Sequence, residues 1–171
     1  MLGCLALGAP AAAAPPEAPE TPSNAAEETG ILARLRTLNG AETEAARLAQ
    51  GSALSPRVRD YAIQLLRDQR LAEQAVEGFA QSHGLELPEP EPTAEEAGEL
   101  ERLRGSRGPA FDHAFLAAMI ADHERAIAEL GAAEARAPDL ALRRLLRRLI
   151  PILRQQLELG QHLEAEIGES G

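Results

Sequence analysis

Lysine and tryptophan are absent from this chain, and cysteine and tyrosine occur once each, as Cys4 and Tyr61. A single cysteine excludes an intrachain disulfide and a cysteine-based zinc site. With three Phe, one Tyr and no Trp, the core has to be built from Ala and Leu, the side chains of closely packed helices. No run approaches the ~20 apolar residues that a membrane-spanning helix requires. Arg therefore supplies all 17 basic residues, and 27 acidic ones bring the net charge to −10 at pH 7. Such a field repels phosphate backbones and argues against a nucleic-acid partner. No nucleophile–base pattern or paired catalytic carboxylate spacing is present, so no enzymatic activity is expected. Gly105-Ser106-Arg107-Gly108, ahead of a helix, is a weak anion-binding signal at most. What remains is a chain of 171 residues, long enough for one domain with a core.

The chain divides at about residue 29. Residues 1–29 read as a remnant of a targeting signal followed by a Pro/Ala/Glu tether that cannot bury enough apolar surface to order itself. The apolar start lacks a basic n-region, which places the expected true start upstream of Met1. Leu2-Gly3-Cys4 then reads as the end of a lipoprotein signal, with Cys4 lipidated and the tether holding a domain off a membrane. Cleavage within Ala11–Ala14 and a plain Ala-rich cytosolic tail are the other readings of the same residues.

Residues 30–168 are helical in period, with no useful strand-like alternation. The first helix is expected over Glu27–Gly51, with Ile31, Leu35, Leu38, Ala45 and Ala49 inward. Ser55-Pro56 starts a second that runs to His83 before Gly84. Thr93-Ala94-Glu95-Glu96 is a capping-box pattern that opens a short extra helix in the connection to the third long one. That third helix spans about Pro109–Ala137. Pro138 opens the fourth, to about Ile167, with Pro151 inside it. Four long helices with short links predict an all-α, antiparallel four-helix bundle.

Stepping each inner seam by threes and fours uncovers one polar residue per helix. Leu38 leads to Glu42 and Ala45, Leu65 to Gln69 and Ala72, Ile120 to His123 and Ile127, and Leu153 to Gln156 and Gly160. If the helices align, Glu42, Gln69, His123 and Gln156 share one layer of the core. A buried polar layer that pairs its own groups and fixes helix register is the plainer reading. The sharper one is a metal or proton site in which His123 offers a nitrogen and Glu42 a carboxylate. Two strong ligands are few for a transition metal, and the Glu-x-x-His pairs of di-iron bundle proteins are absent.

At these residues the chain resembles a bacterial family of unknown function, the one numbered 4142, over roughly residues 30–165. The resemblance rests on Val58-Arg59-Asp60-Tyr61-Ala62 leading to Asp68-Gln69, on Phe111-Asp112-x-x-Phe115-Leu116 leading to Asp122-His123, and on Pro151-Ile152-Leu153-Arg154-Gln155-Gln156-Leu157. Asn39, Glu42, Leu48 and Ala49 add to it. The resemblance implies a ferritin-like bundle in a predicted envelope or outer-membrane protein. Two of the three family histidines are Gln here, Gln69 and Gln156, which reduces any metal site the family implies. A second ferritin-like family is similar along the Phe111–Ile120 segment only.

The remaining titratable residues read as surface features. His113 lies ten residues before His123, ~15 Å along a helix, too far to share an ion. His83 closes the second helix, where an imidazole suits the helix dipole. His162 is flanked by Glu158 and Glu166 at ion-pair spacing. Arg143, Arg144, Arg147 and Arg148, with Arg154, form a basic face on the fourth helix. It docks on an anionic surface or is neutralised by the acidic segment Glu86–Glu101. The expected protein is thus a non-enzymatic structural or interaction module, periplasmic or anchored at the outer membrane through Cys4, with no cofactor. The alternative is a metal-binding or metal-stress protein that holds a transition metal at His123 and Glu42, with His113 or His162 helping between chains.

Overall fold

A computed structural model describes residues 22–137 and 139–169, and these form five helices without a strand among them. They are α1 Pro22–Ser52, α2 Pro56–Ser82, α3 Ala94–Arg104, α4 Gly108–Arg136 and α5 Leu140–Glu169. The protein is all-α. Cys4 and the lipidation reading attached to it lie outside the described residues, as does Pro138. No described helix is long and apolar enough to cross a membrane.

The helix ends follow from local chemistry. α1 starts at Pro22, five residues before the expected Glu27, so the Pro/Glu-rich stretch from Pro22 to Glu28 is helical and Glu28 is buried. Proline is tolerated in a first helical turn, where its missing N–H has no intrahelical role. Ser55 stands at the N-cap of α2, but its side chain makes no cap bond. The link between α1 and α2 is held instead by Asp112 of α4, whose carboxylate accepts from Leu54 N at 3.0 Å and Ser55 N at 2.8 Å. Arg59 clamps the same link by donating to the carbonyls of Ala53 and Leu54. Gly84 follows α2 at φ +64°, the left-handed conformation that a Cβ disfavours. Thr93 and Glu96 form a reciprocal capping box on α3. α5 opens at Leu140 rather than Pro138, because Asp139 accepts from Ala141 N and Leu142 N, both at 3.0 Å. Pro151 lies within α5 on an exposed face, where water can satisfy the carbonyl that its ring leaves free.

The four long helices contact one another in a closed order: α1 packs on α2 and α4, and α5 packs on α4 and α2, while α3 lies against α1 and α4. Neighbours run in opposite directions. Arg36 of α1 pairs with Glu73 of α2 at 2.7 Å, and Glu42, further along α1, meets Gln69, which comes earlier on α2. On the other side Glu134 of α4 pairs with Arg147 of α5 at 2.6 Å, and His123 meets Gln156 at 3.0 Å.

The apolar interior falls into two clusters. One contains Ala45, Ala49, Val58, Tyr61, Leu65, Phe111, Phe115, Met119 and Leu163. Its three aromatic rings touch, Phe111 stacking on Phe115 at 5.8 Å and Tyr61 meeting Phe115 edge-on at 6.2 Å. The other contains Leu32, Leu35, Leu38, Val76, Phe79, Ala126, Leu130, Leu142, Leu146 and Leu153. Every long helix passes from one cluster to the other, and the residue at the crossing is Glu42, Gln69, His123 or Gln156.

Candidate functional site

The four crossing residues meet. Glu42, Gln69, His123 and Gln156 are between 0% and 4% exposed. Gln69 Nε2 donates to Glu42 Oε2. The imidazole of His123 faces the Met119 carbonyl with Nδ1 at 2.5 Å and Gln156 Oε1 with Nε2 at 3.0 Å. Gln156 turns its amide so that Nε2 donates to Asp68 Oδ2 at 3.0 Å. Asp68 thereby fixes which end of that amide the ring meets. Both nitrogens of His123 consequently point at acceptors. Glu42 Oε1 lies 3.9 Å from Nε2 and supplies the opposing charge when ionised.

Burial pushes the Glu42 carboxyl up to about 7, with nearby Asp122 and Glu96 acting in the same direction and His123 pulling it back. Tyr61 donates its hydroxyl to the Gln156 backbone carbonyl at 3.0 Å, and burial first, Glu42 second, hold that phenol above its ordinary range. Asp122 is also raised by burial, against its bond to Arg125. Glu96 goes the other way. Burial acts upward, but the Thr93 backbone N–H, the Arg34 guanidinium at 2.7 Å and the Thr93 hydroxyl together bring it below the usual range.

The other candidate residues stay apart from this layer. His113 is exposed on α4. His162 is exposed and pairs with Glu166 at 3.3 Å. His83 follows α2, stacks on Phe79 at 3.9 Å and lies 3.7 Å from Asp139, so it ties the end of α2 to the start of α5. Arg144, Arg147 and Arg148 are exposed and Arg143 half-buried, and Arg147 pairs with Glu134 of α4. The acidic segment meets other cations: Glu95 pairs with Arg125, Glu96 with Arg34, and Glu99 and Glu101 with Arg102 and Arg104. Neutralisation of the α5 arginines by that segment is thus not the pairing observed for these four glutamates. Among the described residues, no three or more His, Cys, Asp or Glu side chains are grouped to hold a metal ion.

Asp68 and Tyr61 belong to the layer, although seam-stepping does not select them. Both stand in the Val58–Gln69 motif, and that was the available signal. Asn39, one turn before Glu42, is buried as well.

Fold and site together define an all-α protein whose long helices enclose a buried, mutually bonded polar layer. The chain belongs to DUF4142, a domain of unknown function, whose family pattern matches residues 12–163. Two solved structures have a similar fold. One is a DUF305 fragment from Deinococcus radiodurans, 20% identical, with a TM-score of 0.72, covering 89% of this chain and 99% of that one. The other is a DUF305 protein from Streptomyces coelicolor described as a candidate secreted protein, 16% identical, with a TM-score of 0.71, covering 83% of this chain and 94% of that one. No curated protein matches the chain.

Proposed function

We propose that this protein is a non-enzymatic structural or interaction module of the bacterial envelope, a ferritin-like four-helix bundle whose polar layer sets helix register. The closed packing order of α1, α2, α5 and α4, each antiparallel to its neighbours, supports the bundle reading. The description of the Streptomyces coelicolor structure as a candidate secreted protein supports the compartment. The net charge of −10 supports the absence of a nucleic-acid partner.

The observation that carries the role of the layer is the pair of partners that His123 faces. A metal ligand needs a nitrogen lone pair, and both nitrogens of this ring face acceptors, Met119 O and Gln156 Oε1. Glu42 accepts from Gln69 through Oε2 and so ties α1 to α2 within the layer. The layer bonds to itself and resists any slip of one helix against the next, because a slip by one turn would bury each group unpaired.

Thermal unfolding of the purified chain with copper, zinc and iron is the test. A metal at a hundred times its dissociation constant adds about 2.7 kcal/mol to stability. No shift is expected. A rise in Tm that His123→Gln abolishes would replace this reading with a metal site at His123 and Glu42.

A further inference from the structure

Between α2 and α5, against the polar layer, lies a cavity of about 20 Å³. Its polar lining is Asn39, Asp68, Gln69 and Gln156, and its apolar lining includes Ala72 and Leu149. Asn39 reaches it from α1. That residue is 6% exposed, and its Nδ2 is buried with no hydrogen-bond acceptor among the described residues. A buried amide donor without an acceptor is a rare and costly arrangement, and in native cores it usually signals an ordered water.

We infer that this cavity is a binding site for a single water molecule, which accepts from Asn39 Nδ2 and donates to Asp68 and Gln69. The size fits, since a water needs ~10–15 Å³ of such space and two to four polar partners. The chemistry fits as well. Gln69 spends its Nε2 on Glu42, which leaves its carbonyl oxygen as an acceptor. Gln156 spends Oε1 on His123 and Nε2 on Asp68. Asp68 uses Oδ2 for Gln156 and keeps lone pairs for a second donor. The site therefore presents one donor and two acceptor groups. A cation is disfavoured because the unpaired atom is an N–H, whose hydrogens repel positive charge. A dry void is disfavoured because it would leave Asn39 Nδ2 buried without an acceptor. The bound water links Gln69 directly to half-buried Asp68, which Gln156 already bonds, and adds Asn39 of α1 to the layer.

Water-selective NOE and ROE spectra of the full ¹⁵N-labelled chain test this directly. The Asn39 side-chain amide should show a cross-peak to water whose NOE and ROE signs mark a residence time beyond about a nanosecond, the range of buried waters rather than surface ones. Asn39→Leu fills the space and removes the donor, and the water cross-peak at the Gln69 side-chain amide should vanish with it. Absence of a long-lived water signal at Asn39 in the native chain overturns the site without recourse to any variant. A signal at Gln69 that survives Asn39→Leu overturns the assignment of Asn39 as its donor. Loss of the water signal on adding calcium or zinc, together with a rise in Tm, overturns it in favour of a cation site.

Discussion

Gly160 shows how tightly the layer is packed. A Cβ built there would lie 3.2 Å from the Tyr61 hydroxyl oxygen and 3.4 Å from Ile120 Cγ1. Tyr61 is buried and bonded to the Gln156 carbonyl, so it has little room to withdraw. Alanine within a helix gains up to about 1 kcal/mol over glycine in propensity. Against that stand a displaced buried hydrogen bond, about 1 kcal/mol, and overpacking, about 1–3 kcal/mol. Gly160→Ala should therefore lose about 1–3 kcal/mol in urea denaturation. Removing the hydroxyl by Tyr61→Phe removes the clash, so Gly160→Ala should be neutral or stabilising in that background. A double-mutant cycle with no coupling between the two positions would show that the hydroxyl is not what glycine makes room for.

Among the elements, the link between α1 and α2 depends most on one distant side chain. Asp112 accepts two backbone N–H groups from residues 58 and 57 positions away. It is buried, and its replacement leaves both donors without an acceptor. Asp112→Ala should cost about 2–4 kcal/mol, one to two for each orphaned donor, while Thr93→Ala at the capping box of α3 should cost about 1 kcal/mol. Equal effects of the two variants on Tm would contradict this ranking. The contrast also shows what a sequence can disclose. The capping box is written within four residues, and so it is legible. The role of Asp112 is written across two helices, and only its motif, Phe111-Asp112-x-x-Phe115, marks it. The crossing residues Glu42, Gln69, His123 and Gln156 could be read because helical period alone places them on inner faces. Asp68 sits one residue off its seam, and Tyr61 bonds a backbone carbonyl of another helix, so neither role has a local signature. The start of α1 was hidden for a different reason. Pro22 and the glutamates after it have the composition of a tether, but the buried seam of Leu32 and Leu35 extends back to Glu28 and carries the helix with it.

For the whole molecule, the polar layer divides one core into two apolar halves, and its charge state should govern stability against pH. Burial raises the Glu42 carboxyl from its ordinary 4.5 to about 7. In the unfolded chain it ionises at the ordinary value, so between pH 4.5 and 7 the folded state keeps a proton that the unfolded state has released. Stability from this group is therefore fully present below pH 4.5 and is lost as pH rises through 7. Over the window the change is on the order of 3 kcal/mol, at about 1.4 kcal/mol per unit. Asp122 is raised and acts in the same direction, whereas Glu96 is lowered and acts oppositely, so the total curve mixes signs. Glu42→Gln isolates the contribution. An amide has no proton to release, and the difference in unfolding free energy between native chain and variant should shift in the variant's favour as pH rises across the window. Urea denaturation at a series of pH values reads this difference directly. Parallel curves for the two proteins would mean that Glu42 ionises alike in the folded and unfolded chain, and the layer would then hold its register without storing a proton.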